Sequence, residues 1–442
     1  MKALCVFALL LTCSLAVRAD DPYALASELL QQHHVEAAAR AYTLVELESL
    51  ALQGNPEIKL AARKVAAAEA GVSGAGALDD ATAMYRGWQI PLRQPWNLNS
   101  ALNMLMLTQS FPGPGKRALR SQVAGDEIAV AKAQLEATKR DVQARARKAF
   151  YDLLRNRDEL RIHDEQVAIA RQGVEAARIR YAVGRVPQQD VLKAQVALTK
   201  LIEHLVMLEQ DAALARAELN SLLGRSPDTP IAVSGEYDLP AQLPALAELE
   251  KAALQSRPEL LAAQAEIKRN EDQLKLANKG YTPDFSASVG YMLMPQGSST
   301  RNTYMVEGAL SLPWLNRRKH DAEIAEADSR LAVQQAAYET ARTMALQQIQ
   351  EALIKAASAK RLAELYQRAL RPQSEATLRA TVIAYENDRT DFLNLLDSQN
   401  TTLDVDFSYF RAIADFDARI ADLELAVGAP IARSTSGAEV KQ

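Results

Sequence analysis

Hydrophobic positions follow two periods along this chain, one belonging to very long helices and the other to short strands. From Lys116 to Ala182 there is no proline, and Ile128, Leu135, Val142 and Ala149 fall seven apart. After a shift of four, Leu153, Leu160, Val167, Val174 and Tyr181 resume the same spacing. A seven-residue period marks a helix packed along its length, and a shift of four is a stutter that locally corrects the supercoil. At ~1.5 Å per residue this predicts a helix about 100 Å long, beyond what a globular domain holds. The returning stretch carries two stripes, Val191, Leu198, Leu205, Ala212, Leu219 and Ala194, Leu201, Leu208, Ala215, Leu222. Two apolar stripes meet two neighbours, so such helices can lie side by side in a sheet or tube.

The second period is two. Phe285, Ala287, Val289, Tyr291 and Leu293 alternate with Asp284, Ser286, Ser288, Gly290 and Met292. Beyond a turn-rich stretch at 295–299, Tyr304, Val306, Leu310 and Leu312 alternate with Thr303, Glu307 and Ser311. This predicts a hairpin of two strands over about 283–312. An earlier pair over about 80–111 is less clean, because Met104, Leu105, Met106 and Leu107 blur the alternation, while Tyr85, Trp88 and Trp96 supply aromatics suited to an interface. Strands of about ten residues are long enough to cross a bilayer when tilted. A soluble hairpin packed on helices has the same period. Four strands cannot close a barrel, and an open edge is not tolerated in hydrocarbon. Membrane-crossing strands would therefore have to be pooled among subunits, and three copies supply twelve, inside the range of known barrels.

The pattern occurs twice. Ala51-Leu52-Gln53-Gly54-Asn55-Pro56-Glu57-Ile58 reads against Ala253-Leu254-Gln255-Ser256-Arg257-Pro258-Glu259-Leu260, Leu219 to Gly224 matches Leu423 to Gly428, and the tip from Tyr181 to Gln195 matches that from Tyr385 to Gln399. Each tip has a tyrosine, a polar turn, a leucine eleven residues on and a glutamine three beyond it. Each is read as the turn between two antiparallel helices. The second outbound helix carries Pro372, which predicts a kink or a split. Its return stripe, Leu395, Thr402, Tyr409, Phe416 and Leu423, is bulkier and more polar than its counterpart. At Gly54-Asn55-Pro56, Asn55 can cap a helix whose first turn holds Pro56. The predicted organisation is a signal segment 1–19, an extension 20–42, a repeat 43–224 with its tip near 181–190, a linker 225–247, a repeat 248–428 with its tip near 385–391, and a tail 429–442.

Met1 to Ala19 places Lys2 before an apolar run and ends in Val17-Arg18-Ala19, a small-x-Ala pattern that predicts an exported protein. A rival reading takes Leu10-Leu11-Thr12-Cys13 as a lipoprotein box with Cys13 acylated. Both cysteines, Cys5 and Cys13, lie in this segment, so cleavage after Ala19 would leave no disulfide. With 48% hydrophobic residues but only 5% aromatic ones, the chain can bury a large core and favours long helices. Its 51 basic and 55 acidic side chains form no basic tract, and nothing recommends nucleic acid as a partner.

Chemistry-bearing motifs are scarce. His33 and His34 point about 100° apart on a helix and cannot chelate together unaided. His163, His204 and His320 read as isolated on polar helical stretches. The glycines of 71–76 follow a helix instead of a strand, which makes them a helix terminator in place of a phosphate loop. No zinc, nucleophile-elbow or Walker pattern is present, so no enzymatic activity, cofactor or resident metal is expected.

The tip residues Tyr181, Gly184, Asp190-Val191-Leu192 and Ala194-Gln195, their partners from Tyr385 to Gln399, and the repeat ends at Gly224 and Gly428 resemble the TolC-like outer-membrane efflux proteins. Phe111-Pro112-Gly113-Pro114-Gly115-Lys116-Arg117 is similar to the branch associated with heavy-metal efflux. The resemblance implies a mainly α fold with a small transmembrane β-barrel contribution: two tandem repeats of helices, β-hairpin and long helical hairpin, trimerised into a twelve-stranded barrel and a helical tunnel. It implies the exit duct of a tripartite efflux pump in the outer membrane, among outer-membrane lipid, for metal cations or small toxic compounds. The implied partners are a periplasmic adaptor, or membrane fusion, protein and an inner-membrane transporter of the RND or a similar type. Tyr181, Gly184 and Arg185 would form one adaptor-contacting tip, and Tyr385, Asp388 and Arg389 the other, with Asp388 where the family commonly has glycine. Asp397 would stand in an acidic ring at the tunnel entrance, and Asn394 where some members have a second acid. An Asp solvated near a helix start accounts equally for Asp397. A soluble periplasmic coiled-coil adaptor or scaffold is the alternative for the whole chain.

Overall fold

The computed structural model describes residues 40–431, apart from 91, 94–97, 241, 296, 299–301 and 388. The expected signal segment with Cys5 and Cys13, the extension up to residue 39 with His33 and His34, Trp96, Asp388 and the tail from 432 lie outside the described residues. In chain order the main elements of the first repeat are α1 (Leu44–Gly54), α2 (Pro56–Ala75), β1 (Thr82–Trp88), β2 (Leu102–Phe111), α3 (Lys116–Ala182) and α4 (Gln188–Leu222). The second repeat follows with α5 (Leu246–Ser256), α6 (Pro258–Asn278), β3 (Phe285–Leu293), β4 (Thr303–Leu310), α7 (Arg317–Leu365), α8 (Arg371–Glu386) and α9 (Phe392–Val427).

The helix α3 runs unbroken for 67 residues, as the missing proline predicts. It packs against α4 and α9 along one part of its length and against α2 and α6 along another. Both predicted stripes of α4 are inside: Leu198, Leu205 and Leu219 on one and Ala194, Leu208 and Leu222 on the other are buried. On α9 the counterpart stripe Leu395, Thr402, Tyr409, Phe416 and Leu423 is buried too. A side chain the size of leucine, taken fully out of water, contributes about 1.5–3 kcal/mol, so these stripes hold the rods together.

Each repeat joins its ends in one way. Asn55 accepts hydrogen bonds from the N–H groups of Glu57 and Ile58, capping α2, and its Nδ2 donates to the Leu222 carbonyl at 3.0 Å. The C-terminus of α4 thus abuts the start of α2, and Gly224 turns there with φ +67 where an added Cβ would stand 2.7 Å from the Gly54 carbonyl oxygen. In the second repeat Arg257 Nη1 donates to the Ala426 carbonyl at 3.2 Å, Ser256 Oγ donates to that of Val427 at 3.2 Å, and Gly428 takes the same left-handed turn. The two repeats are tied to each other by Arg147 of α3, which pairs with Glu48 of α1 and Glu424 of α9.

The four strands form one antiparallel sheet in the order β1–β2–β3–β4. The hairpins of the two repeats join through β2 and β3, with Phe111 opposite Phe285 and Leu107 opposite Val289. Register resolves the blurred stretch: Met104 and Met106 are buried on one face, while Leu105 and Leu107 on the other are at least half exposed. Val289, Tyr304 and Val306 share that exposed apolar face. Among the described residues β1 and β4 have no partner on their outer sides, and no closed barrel is formed within one chain. Lys116 anchors the sheet to the rods, its Nζ lying 2.7 Å from Asp284 Oδ1, which also accepts from the Gly113 N–H.

Pro372 does split its helix. The five residues Tyr366–Leu370, just before it, form a wide π turn between α7 and α8. Proline lacks the N–H that would continue the ladder, and a π segment absorbs the mismatch. The glycines of 71–76 end a helix only at their far side, since Gly71 and Gly74 lie inside α2 and Gly76 caps it.

Candidate functional site at the hairpin tips

The first tip closes by a left-handed turn. Gly184 has φ +74, its N–H donates to the Tyr181 carbonyl at 2.9 Å, and the Arg185 N–H reaches back to the Arg180 carbonyl at 2.9 Å. Only glycine takes this conformation without strain, and the two bonds satisfy carbonyls left over at the helix end. Tyr181 is 46% exposed beside the more exposed Val183. At the second tip the Arg389 N–H donates to the Ala384 carbonyl at 2.8 Å. There Asp391 caps α9 by accepting from the Asn394 N–H at 2.9 Å.

Within one chain the tips touch. The Arg180 guanidinium lies 4.3 Å from the centre of the Tyr385 ring, and that ring lies 6.0 Å from Phe392. A cation over an aromatic face is held by the ring quadrupole. Tyr385 is therefore half-buried between the hairpins, whereas Tyr181, Arg185 and Arg389 face outward. Arg180 lies off the heptad stripe, so no periodicity signals it.

Two grooves flank this contact. Between α8 and α9 an oxygen-rich groove of about 460 Å³ is lined by Thr377, Thr381, Thr390, Asn394, Asp397 and Thr401. Asn394 and Asp397, three apart, are both exposed and share one face of α9. Asn394 Nδ2 donates to Thr390 Oγ1 at 3.2 Å, and the Thr377 and Thr381 hydroxyls donate to carbonyls one turn back at 2.9 Å. What remains towards solvent is oxygen acceptors and one carboxylate, a surface that attracts cations. Helix capping falls to Asp391, and Asp397 sits in the second turn with no such duty. Between α4 and α9 runs an apolar groove of about 510 Å³, lined by Leu192, Val196, Leu393, Leu396 and Phe407, with Lys193 and Lys200 beside it.

The histidines are not isolated, as the linear sequence suggests. His163 is buried with Nε2 2.6 Å from the Leu201 carbonyl oxygen, and its ring lies 5.7 Å from that of His204, which in turn lies 4.9 Å from Phe407. Burial, and then the nearby Arg411 guanidinium, holds His204 below the usual imidazole range. Alongside, the buried Glu159 accepts from Arg411 Nε at 3.1 Å, linking the repeats again. His320 stands by Glu323, its Nδ1 3.1 Å from Oε2. The return of α4 along α3 brings His163 and His204 together, a contact invisible to any local pattern. Among the described residues no three His, Cys, Asp or Glu side chains gather to hold a metal ion.

Long paired rods thus carry hairpin tips at one end and, at the other, a β-sheet with one exposed apolar face. The chain belongs to the outer membrane efflux protein family, which it matches twice, over residues 47–225 and 249–429. It is a TolC-like member of that family. It is 24% identical over 303 residues to the cobalt-zinc-cadmium resistance protein CzcC of Cupriavidus metallidurans, covering 68% of this chain and 70% of that protein. Its fold superposes on the outer-membrane channel OprN with a TM-score of 0.72 at 21% identity, over 87% of this chain and 90% of that one. The outer membrane protein VceC of Vibrio cholerae gives a TM-score of 0.70 at 18% identity, over 87% and 96% of the two chains. No helix among the described residues is long and apolar enough to cross a membrane.

Proposed function

We propose that this protein is the exit duct of a tripartite efflux pump, exported by its first 19 residues and seated in the outer membrane as a homotrimer. One observation carries the reading: a four-stranded sheet with an exposed apolar face and two unpartnered edges. Open edges in hydrocarbon leave backbone groups unsatisfied, so β4 of one copy pairs with β1 of the next and three copies close twelve strands. The rods then prolong the barrel as a tunnel into the periplasm. The tips, with Tyr181, Gly184, Arg185, Tyr385, Asp388 and Arg389, meet a periplasmic adaptor, which couples the duct to an inner-membrane transporter of the RND or a similar type. Metal cations or small toxic compounds are the cargo. Three copies of Asp397, flanked by Asn394, form a ring at the entrance that favours cations.

The test is the purified protein in planar bilayers. A heat-labile trimer that conducts, and whose cation preference falls on Asp397→Asn, is the expected result. A monomer released with the soluble periplasm and silent in bilayers sinks the duct. A conducting trimer indifferent to Asp397→Asn removes only the gate assignment.

A further inference from the structure

The duplication makes a junction inside the chain the pattern for a junction between chains. Where the two repeats meet, β2 runs antiparallel to β3 and α3 lies against α6. Lys116, the first residue of α3, closes this junction through its 2.7 Å bond to Asp284, and its side chain is only 11% exposed. The rods touch in the order α2–α3–α6–α7 and the strands pair in the order β1–β2–β3–β4. One open side of the chain is therefore α7 with β4, and the other is α2 with β1. The duct reading sets these two sides together, the first from one copy and the second from the next.

Strand register fixes which positions are equivalent. Pro112 and Pro313 end matching segments, Gln109-Ser110-Phe111-Pro112 and Leu310-Ser311-Leu312-Pro313. Four residues before them stand Thr108 and Ala309, whose partners across the hairpins are Thr82 and Ser286. Two residues before those partners come Asp80 and Asp284. Four residues after the prolines come Lys116 and Arg317, each the first residue of its rod. The counterpart of Lys116 with Asp284 is thus Arg317 with Asp80. Inside one chain these two flank opposite edges of the sheet, ~14 Å apart at three strand spacings, and cannot meet. Both are exposed, and among the described residues neither makes an ion pair. Further along α7, by contrast, Arg330, Arg342 and Lys355 each pair with a glutamate one turn away.

We propose that Arg317 of one copy pairs with Asp80 of the next, and that β4 meets β1 of that copy with Leu310 opposite Ala83, the counterpart of Gln109 opposite Ala287. The proposal rests on the duct reading and gives its subunit contact a register and a charge pair. Leu310 and Ala83 both belong to the exposed apolar face, through their pairing with Phe285 and Leu107. The register therefore keeps that face continuous from copy to copy, whereas a slip of one residue would turn it inward. The contact between copies is the wider of the two. A Cβ on Gly113 would stand 2.6 Å from the Pro283 carbonyl oxygen, and the residue in its place is Trp314. The longer, forked guanidinium of Arg317 spans that gap where the Lys116 ammonium sufficed.

The experiment uses the full chain, purified in detergent and oxidised with copper phenanthroline. Residues opposed on paired strands lie about 5 Å apart at Cα, within disulfide reach. Leu310→Cys with Ala83→Cys is expected to give disulfide-linked oligomers that survive boiling in dodecyl sulfate and collapse on reduction. Leu310→Cys with Tyr85→Cys, a register slipped by two, should give far less, and each single variant none. Arg317→Asp and Asp80→Arg should each lower, by several degrees, the temperature at which the trimer dissociates in dodecyl sulfate, and together restore it. If a reversal blocks assembly, Arg317→Gln and Asp80→Asn test the same point, because the double variant should lose no more than either alone. Trapping through Tyr85→Cys that equals or exceeds trapping through Ala83→Cys overturns the register, and losses that simply add overturn the charge pair. A wild-type protein that is monomeric and silent in bilayers overturns the duct reading instead, so the failures are told apart.

Discussion

The two hairpin tips share a backbone and differ in what they do with it. Both close by a bond from an arginine N–H to a carbonyl five residues back, Arg185 to Arg180 and Arg389 to Ala384. The first tip then leads into α4, whose stripes are aliphatic and whose partner α3 runs without a break. The second leads into α9, with Thr402, Tyr409 and Phe416 buried where α4 has Leu198, Leu205 and Ala212, and its outbound rod is interrupted by a π turn. The hydroxyls, Asn394 and Asp397 line only the second hairpin's groove. Duplication has kept the fold-determining turns and let one copy become the stiff support while the other carries polar surface and a built-in break.

That contrast can be broken at several points. Phe416 is fully buried where the first repeat has Ala212. Phe416→Ala should cost about 3–5 kcal/mol in denaturant unfolding, against about 1 kcal/mol for Ala212→Gly. Equal losses would show that the second rod does not depend on its larger core. Gly428 and Gly184 have nearly the same φ, +75 and +74, yet a Cβ would meet Arg257 Cα at 2.7 Å at the first and nothing within 4 Å at the second. Gly184→Ala is expected to lose about 1 kcal/mol through backbone strain alone, and Gly428→Ala about 2–4 kcal/mol because the repeat junction must also move. Arg180→Ala removes the cation over Tyr385 and should cost about 1 kcal/mol, with a rise in single-channel conductance as the tips loosen. Unchanged conductance would separate this contact from the entrance.

The smallest effect is set by pH. Because His204 titrates below its ordinary 6.5, the unfolded chain binds protons more readily than the folded one in that window. Its contribution to stability is complete above about pH 6.5 and declines as pH falls through the lowered folded value. Melting temperature should therefore drop from pH 7 to pH 5, and His204→Gln should flatten that slope. A slope that survives the substitution assigns it to other groups.

The rods were legible from the chain because heptad spacing is local and Val142, Val167 and Leu198 announce their own burial. The Asn55 cap and the break at Pro372 were legible for the same reason, each being dictated by one residue's backbone chemistry. The first hairpin was harder. Four apolar residues in a row, Met104 to Leu107, do not say which pair faces which way, and only pairing with β3 separates sulfur from leucine. At the tips Tyr181 and Gly184 could be picked out by their place in the duplicated motif and Asp397 only by the family resemblance, while Arg180 could not, since its partner Tyr385 is about 200 residues away. The pairing of His163 with His204 is hidden from the chain, because a helix seen alone presents each of them to a polar neighbourhood.

By itself the sequence determined the elements: two copies of a helix–hairpin–rod unit, their turns, their caps and the apolar stripes, all consequences of φ/ψ preference and of spacing along one helix or strand. The tertiary structure alone decided that the two hairpins join into one sheet, that its methionines share a face, that Gly224 and Gly428 close stacked columns, and that the tips clasp through Arg180 and Tyr385. Those outcomes depend on groups distant in the chain meeting at van der Waals range, and their geometry is set by how the rods pack, a property no single segment encodes.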